Sequence, residues 1–228
     1  LTSGTIKKYQ QIRLTQSQCS DSSKISCNSR IRCARSLFSK RSLAYYGDDL
    51  EVPEETVKAL FSIPMLDEPE RRPELPGAEA LAKVAEGLKD MPDGYRAYLL
   101  ARFGGLRAGE IKAARRDWLE GNLLHVGGKD FTAKSKRWGV VELPAEVVAL
   151  LHQSDDIAYL VGSRRAKVVD RELPCRLQEL GFPRKPIQSL RRFFGSIVYT
   201  EQGPRQAKDA LRHRQISTTE RYYARSLD

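Results

Sequence analysis

The sequence predicts a mainly α-helical protein of the α+β class: a helical domain with one small antiparallel β-sheet, preceded by a partial helical N-terminal domain. Three observations predict it. Apolar residues recur at helical spacing along most of the chain, and two short apolar runs flank a lysine-bearing turn. A proline- and acid-rich stretch separates the first helices from the rest.

Residues 5–16 and 25–46 read as helices, with the polar segment Ser17 to Ser26 between them. In the second, Ile31, Ala34, Leu37 and Phe38 form an apolar stripe, and Arg30, Arg32, Arg35, Lys40 and Arg41 cover the remainder. Two short helices bury too little surface to stand alone, so residues 1–50 read as a partial domain or an arm that packs on something else. Pro53, Pro64, Pro69, Pro73 and Pro76, among dense Glu and Asp, mark residues 51–76 as a linker with a short helix at 54–61.

The main domain is expected over residues 77–228. Leu81, Val84, Ala85 and Leu88 are helix-spaced, and Pro92-Asp93-Gly94 breaks that run. Tyr95 to Phe103 and Ala108 to Ala114 read as helices joined by the Gly104-Gly105 corner. Leu123 to Val126 and Trp138 to Leu143 read as strands around a turn with Lys129, Lys134, Lys136 and Arg137. Helices then follow at 145–152, 170–180, 187–200, 204–211 and 216–224.

The net charge of +10 is unevenly spread. Residues 1–46 hold 9 Lys/Arg against 1 Asp/Glu, residues 47–95 hold 5 against 13, and residues 96–228 hold 25 against 15. Two basic blocks around an acidic one are the footprint of a polyanion binder. No apolar run reaches the length of a membrane-spanning helix. Cys19, Cys27, Cys33 and Cys175 lack close pairing and histidines at metal-ligand spacing, so free thiols, no metal and no cofactor are expected. The start, Leu1-Thr2-Ser3-Gly4, has neither an initiator Met nor the pattern of a signal peptide. The expectation is a cytoplasmic protein represented by an excised piece.

The chemistry-bearing residues cluster toward the end. Arg107 follows a double glycine and precedes Glu110, which lies three residues on along one helical face and can orient the guanidinium. Arg191 borders an apolar stripe of Leu190, Phe193, Phe194, Ile197 and Val198, where a charge needs a partner or an anion. Arg192 points about 100° away. His213 lies between Arg212 and Arg214, which should keep it neutral and able to donate one hydrogen bond. Tyr222 and Tyr223 compete as nucleophile, since adjacent helical residues aim in different directions. Two guanidiniums can clamp a phosphate, and a tyrosine can attack it and hold it as an ester. Such a set breaks a phosphodiester without metal.

In order, Gly105-Leu106-Arg107-Ala108-Gly109-Glu110, the lysine-bearing turn, Ser189-Leu190-Arg191 before an aromatic helix, Leu211-Arg212-His213 and Ser217-Thr218-Thr219-Glu220-Arg221-Tyr222 resemble the tyrosine recombinase (phage integrase) family. The likeness covers residues 77 to 225, and residues 5–46 resemble the later helices of the family's DNA core-binding domain more weakly. It implies that Arg107 and Arg191 hold the scissile phosphate, with Glu110 supporting Arg107. Lys134, with Lys136 as fallback, protonates the leaving 5′ oxygen, and His213 hydrogen-bonds a phosphate oxygen. Tyr222 is the nucleophile, ahead of Tyr223. Double-stranded DNA recombination sites are the implied partner, bound by a homotetramer that is a monomer without DNA.

Two positions depart from the family pattern. Gln188 stands where histidine is usual; it can donate to phosphate but cannot take up a proton. Arg212 replaces the usual glycine, and either adds a DNA contact or crowds the turn. The chain also ends soon after Tyr222, leaving little room for the C-terminal segment that many members dock onto a neighbour. The leading expectation is a site-specific recombinase or integrase, with reduced chemistry. A type IB topoisomerase-like monomer and a degenerate integrase that only binds DNA are the alternatives.

Overall fold

A computed structural model describes residues 3–18, 20–46, 53–68, 74–127, 131 and 138–223, without the side chains of Tyr46, Thr218, Arg221, Tyr222 and Tyr223. The chain divides into two units, Leu1–Arg71 and Arg72–Asp228.

In the first unit, α1 (Ser3–Gln16), α2 (Asp21–Leu37), α3 (Lys40–Tyr46) and α4 (Glu54–Ser62) follow in order. Ile6, Cys27, Ile31, Leu60 and Ile63 form its core, with Tyr9, Ala34, Phe38, Met65 and Leu66 packed against it. Glu54 to Leu66, expected within a linker, therefore belongs largely to this core. Polar side chains tie it there. Buried Asn28 donates to the Leu66 carbonyl at 2.8 Å and accepts from its amide at 2.9 Å. Arg35 donates to the Leu60, Phe61 and Ile63 carbonyls, which lack helical partners at the end of α4. Leu37 is 70% exposed, unlike the rest of its expected stripe. The buried face runs instead through Cys27, Asn28 and Ile31.

The second unit starts with α5 (Ala78–Ala82), α6 (Val84–Gly87), α7 (Pro92–Phe103) and α8 (Ala108–Ala113). Pro92 does not merely break a run: it occupies the first turn of α7, where its missing N–H would lack a partner in any case. A three-stranded antiparallel sheet follows, ordered β1 (Leu119–Glu120), β2 (Leu123–Val126), β3 (Gly139–Glu142). Leu124 pairs with both Leu119 and Val141, so one β2 position carries the apolar contact across the sheet. Next come α9 (Ala145–His152) and α10 (Arg165–Lys167), a wider π-helical turn over Val168–Glu172, and α11 (Leu173–Glu179). The unit closes with α12 (Pro186–Gln202), α13 (Pro204–Ala210) and α14 (Ile216–Tyr223).

The α12 helix is the organiser, packed on α7, α11, α13 and α14. Leu190 is fully buried with Leu100, Leu106, Leu124 and Leu177. Val198 is buried too, whereas Phe193, Phe194 and Ile197 are half-buried. Phe193 lies beneath the Arg102 guanidinium at 4.3 Å. Phe194 presses on Gly105, where φ is +57° and a Cβ would collide with the ring; that corner admits only glycine on both counts. No helix of the described residues is long and apolar enough to cross a membrane.

Candidate active site

The Gly104-Gly105 corner ends α7 and aims the chain so that Arg107 caps α8 in extended conformation. Glu110, one turn into α8, reaches back. Its carboxylate accepts from the Arg107 backbone amide at 2.9 Å and from Arg107 Nη1 at 2.7 Å. An Arg–Glu pair at this spacing is commonly a solvated surface feature, but Glu110 is only 2% exposed and Arg107 31%. A buried carboxylate must be paired, and Glu110 gathers three guanidiniums. Arg212 Nη2 donates to it at 2.7 Å, and Arg191 Nη1 stands 3.7 Å away. Burial alone would raise the Glu110 pKa, but Arg212, Arg191 and the Arg107 amide bring it below the ordinary carboxylate range.

Arg191, on the buried face of α12, donates through Nη1 to the Gly105 carbonyl and through Nη2 to the Leu211 carbonyl. One side chain thus joins the corner before Arg107 to the turn before His213. That turn is a Schellman motif at the end of α13: the His213 amide returns to Lys208 O at 2.9 Å and the Arg212 amide to Asp209 O at 3.0 Å. The residue at its left-handed position is Arg212, φ +55°. Glycine is the usual occupant there, and a left-handed non-glycine residue costs roughly 1–2 kcal/mol. The side chain neither reaches solvent nor crowds the turn. It runs inward past Gly139, where a Cβ would lie 2.7 Å from Arg212 Cγ, and is fully buried.

His213 Nδ1 lies 2.9 Å from the hydroxyl of Thr219, which is buried on α14. Its pKa falls from 6.5 to about 4, first through burial, then through Arg191, Arg107 and Arg212. The direction matches the expectation of a neutral imidazole, but exposed Arg214 is not among the causes. Gln188 is exposed on α12, one turn before Arg191, and makes no hydrogen bond among the described residues. Tyr222 and Tyr223 lie three and four positions after Thr219 on α14, which packs against α12 and α13; their side chains fall outside the description. Lys134 and Lys136 also lie outside the described residues.

The structure therefore gathers Arg107, Glu110, Arg191 and His213, and adds Arg212 and Thr219, which sequence reasoning did not place there. The signal for Arg212 was the absence of a glycine where the turn needs one. Thr219 gave none.

Both pKa shifts act on stability with one sign. Between about pH 4 and 6.5 the unfolded chain takes up a proton that folded His213 refuses, and buried Glu110 likewise resists protonation. Stability is expected to be full above pH 6.5 and to fall as pH drops toward 4. Urea unfolding across that range checks it; a flat profile would contradict the burial of this pair.

The chain has the fold of the tyrosine recombinases, the integrases. Three solved structures show the likeness. A crystal structure of XerA recombinase matches with TM-score 0.55 and 19% identity, over 97% of this chain and 78% of that one. A lambda integrase dimer bound to a COC′ core site matches with TM-score 0.66 and 15% identity, over 97% of this chain and 64% of that one. This chain thus spans somewhat under two thirds of that integrase. The Tn1549 transposon integrase in complex with circular intermediate DNA matches with TM-score 0.66 and 14% identity, over 98% of this chain and 81% of that one. No protein-family model and no curated protein matches the sequence.

Proposed function

We propose that the protein is a site-specific DNA recombinase or integrase that cleaves and rejoins strands through a 3′-phosphotyrosyl intermediate. It acts in the cytoplasm on double-stranded recombination sites, with four copies assembling on two sites. The observation that carries this reading is the convergence of Arg107, Arg191 and Arg212 on Glu110, with neighbouring His213 set against Thr219 of the helix that bears Tyr222 and Tyr223.

In this reading Tyr222 loses its hydroxyl proton to water, its phenolate oxygen attacks the scissile phosphorus, the P–O5′ bond breaks, and Lys134 gives its proton to the departing O5′. Arg107 and Arg191 stabilise the charge gathering on the non-bridging oxygens, an effect largest in a water-poor site. His213 stays neutral at physiological pH. In the tautomer with its proton on Nε2, Nδ1 accepts from the Thr219 hydroxyl and Nε2–H donates a hydrogen bond to a phosphate oxygen while keeping its proton. A second 5′-hydroxyl reverses the step and seals the new strand.

The test is covalent trapping. The protein is incubated with a pool of nicked duplexes of random central sequence, and DNA that stays attached in denaturant is recovered. An attached strand supports the reading. DNA binding with no adduct from any duplex favours a binding-only protein. Relaxation of supercoiled DNA by the monomer favours the type IB topoisomerase-like alternative.

Gln188 supplies a second prediction. It lies one turn from Arg191 and can donate to phosphate but not shuttle a proton. Gln188→His is expected to raise single-turnover cleavage about tenfold, a fraction of the ~10² to 10⁴ typical of general acid–base assistance. DNA affinity should barely move. Equal or slower cleavage would put Gln188 outside the pocket or already suited to its task.

A further inference from the structure

We propose that Arg212 is a positioning residue of this site: its single guanidinium clamps the corner after α7, the start of α8 and the end of α13, and so holds Arg107 and His213 in register for one phosphate. The role in cleavage rests on the recombinase reading above.

Three contacts make the clamp. Nη2 donates both to Glu110 Oε2 at 2.7 Å and to the Gly105 carbonyl at 3.1 Å, and Nη1 donates to the Ala210 carbonyl at 2.8 Å. Gly105 lies two residues before Arg107, Glu110 binds Arg107, and Ala210 lies three residues before His213. Arg191 spans the same two loops through Gly105 and Leu211, so two buried arginines brace them side by side.

Arg212 is not a neutral filler of its turn. The backbone there suits glycine, and a glycine would leave both Glu110 and the Gly105 carbonyl with one fewer donor. The arginine accepts a left-handed φ and full burial, and its stem lies so close to Gly139 that a Cβ there would have to push it aside. The result is three guanidiniums on one carboxylate, an excess of positive charge that an anion would balance. Among the described residues, the charged groups facing His213 include Arg191 from α12, Arg107 and Glu110 at the start of α8, and Arg212 from its own turn, with Thr219 of α14 on Nδ1.

The test compares Arg212→Gly, which relieves the backbone, with Arg212→Lys, which keeps the charge but removes the fork. Single-turnover cleavage of a nicked duplex is expected to fall about 10²-fold in both, the scale set by a misplaced catalytic group, with DNA affinity unchanged. The His213 titration midpoint, read by NMR without DNA, should rise above about 4 in the glycine variant and less in the lysine variant. Cleavage by the glycine variant at the unaltered rate overturns the proposal. Should that variant fail to fold, Gly139→Ala, which pushes on Arg212 Cγ and leaves its charge, is expected to lower the rate likewise; an unchanged rate there overturns the clamp. Should the unaltered protein form no adduct, the recombinase reading fails by itself. The DNA-free titration of Arg212→Lys, which keeps the charge, then decides the clamp: a midpoint raised above about 4 upholds it and an unmoved one overturns it.

Discussion

Glu110→Ala is expected to destabilise the second unit by about 3–5 kcal/mol, the cost of leaving a buried charge without its partner. Glu110 is the only carboxylate among the described residues that Arg107, Arg191 and Arg212 share, and the last two are almost wholly buried. That loss is a large part of the roughly 5–15 kcal/mol that holds a domain folded. Glu79→Ala gives the contrast. Its carboxylate also pairs with a cation, Lys83, but both lie largely in solvent, so its removal should cost far less. Both tryptophans, Trp118 and Trp138, belong to the second unit, so urea unfolding followed by their fluorescence reports the right transition. Equal effects of the two substitutions would mean that Glu110 is hydrated and that the arginine cluster is not assembled around it.

DNA affinity is expected to fall by about 10³ to 10⁵ between 50 and 200 mM salt, if six to ten phosphates are neutralised. Neutralised phosphates release counterions, and the excess of basic residues in 1–46 and 96–228 supplies the cations that do it. Lys7, Lys8, Lys40 and Arg41 are exposed on the first unit. Replacing them with glutamine should make the log–log slope shallower by about one for each phosphate that is no longer neutralised. An unchanged slope would mean that the first unit does not touch DNA.

Much of the fold was legible because long helices announce themselves by spacing. The helices of residues 3–16, 92–103, 186–202 and 204–210 lie within a few residues of their expected positions, as do β2 and β3. What escaped has local causes. The two-residue β1 is too short to show an alternation. Leu60 and Ile63 sit among prolines and acids whose composition masked their place in a core. Leu37 continued an apolar spacing to the last residue of α2, where it is largely exposed.

The site was legible in its parts and not in its wiring. The spacing of Glu110 from Arg107 foretold their pairing, since one helical turn joins them. That Glu110 also serves Arg191 and Arg212 depends on approaches across 81 and 102 positions, which local spacing does not encode. The inward course of Arg212 depends on where α13 ends and on the small residue at 139.

The central claim is that a tyrosine of α14 becomes the covalent carrier of DNA. The most direct measurement identifies, by mass spectrometry of the trapped adduct, the residue that bears the nucleotide, with Tyr222→Phe and Tyr223→Phe trapped in parallel. The account predicts a nucleotide on Tyr222, no adduct in Tyr222→Phe, and DNA binding close to normal in that variant, since only one hydroxyl is removed. An adduct that persists in Tyr222→Phe and vanishes in Tyr223→Phe would move the nucleophile by one position. An adduct that persists in both variants, or its absence from the unaltered protein on every duplex tried, would contradict the account.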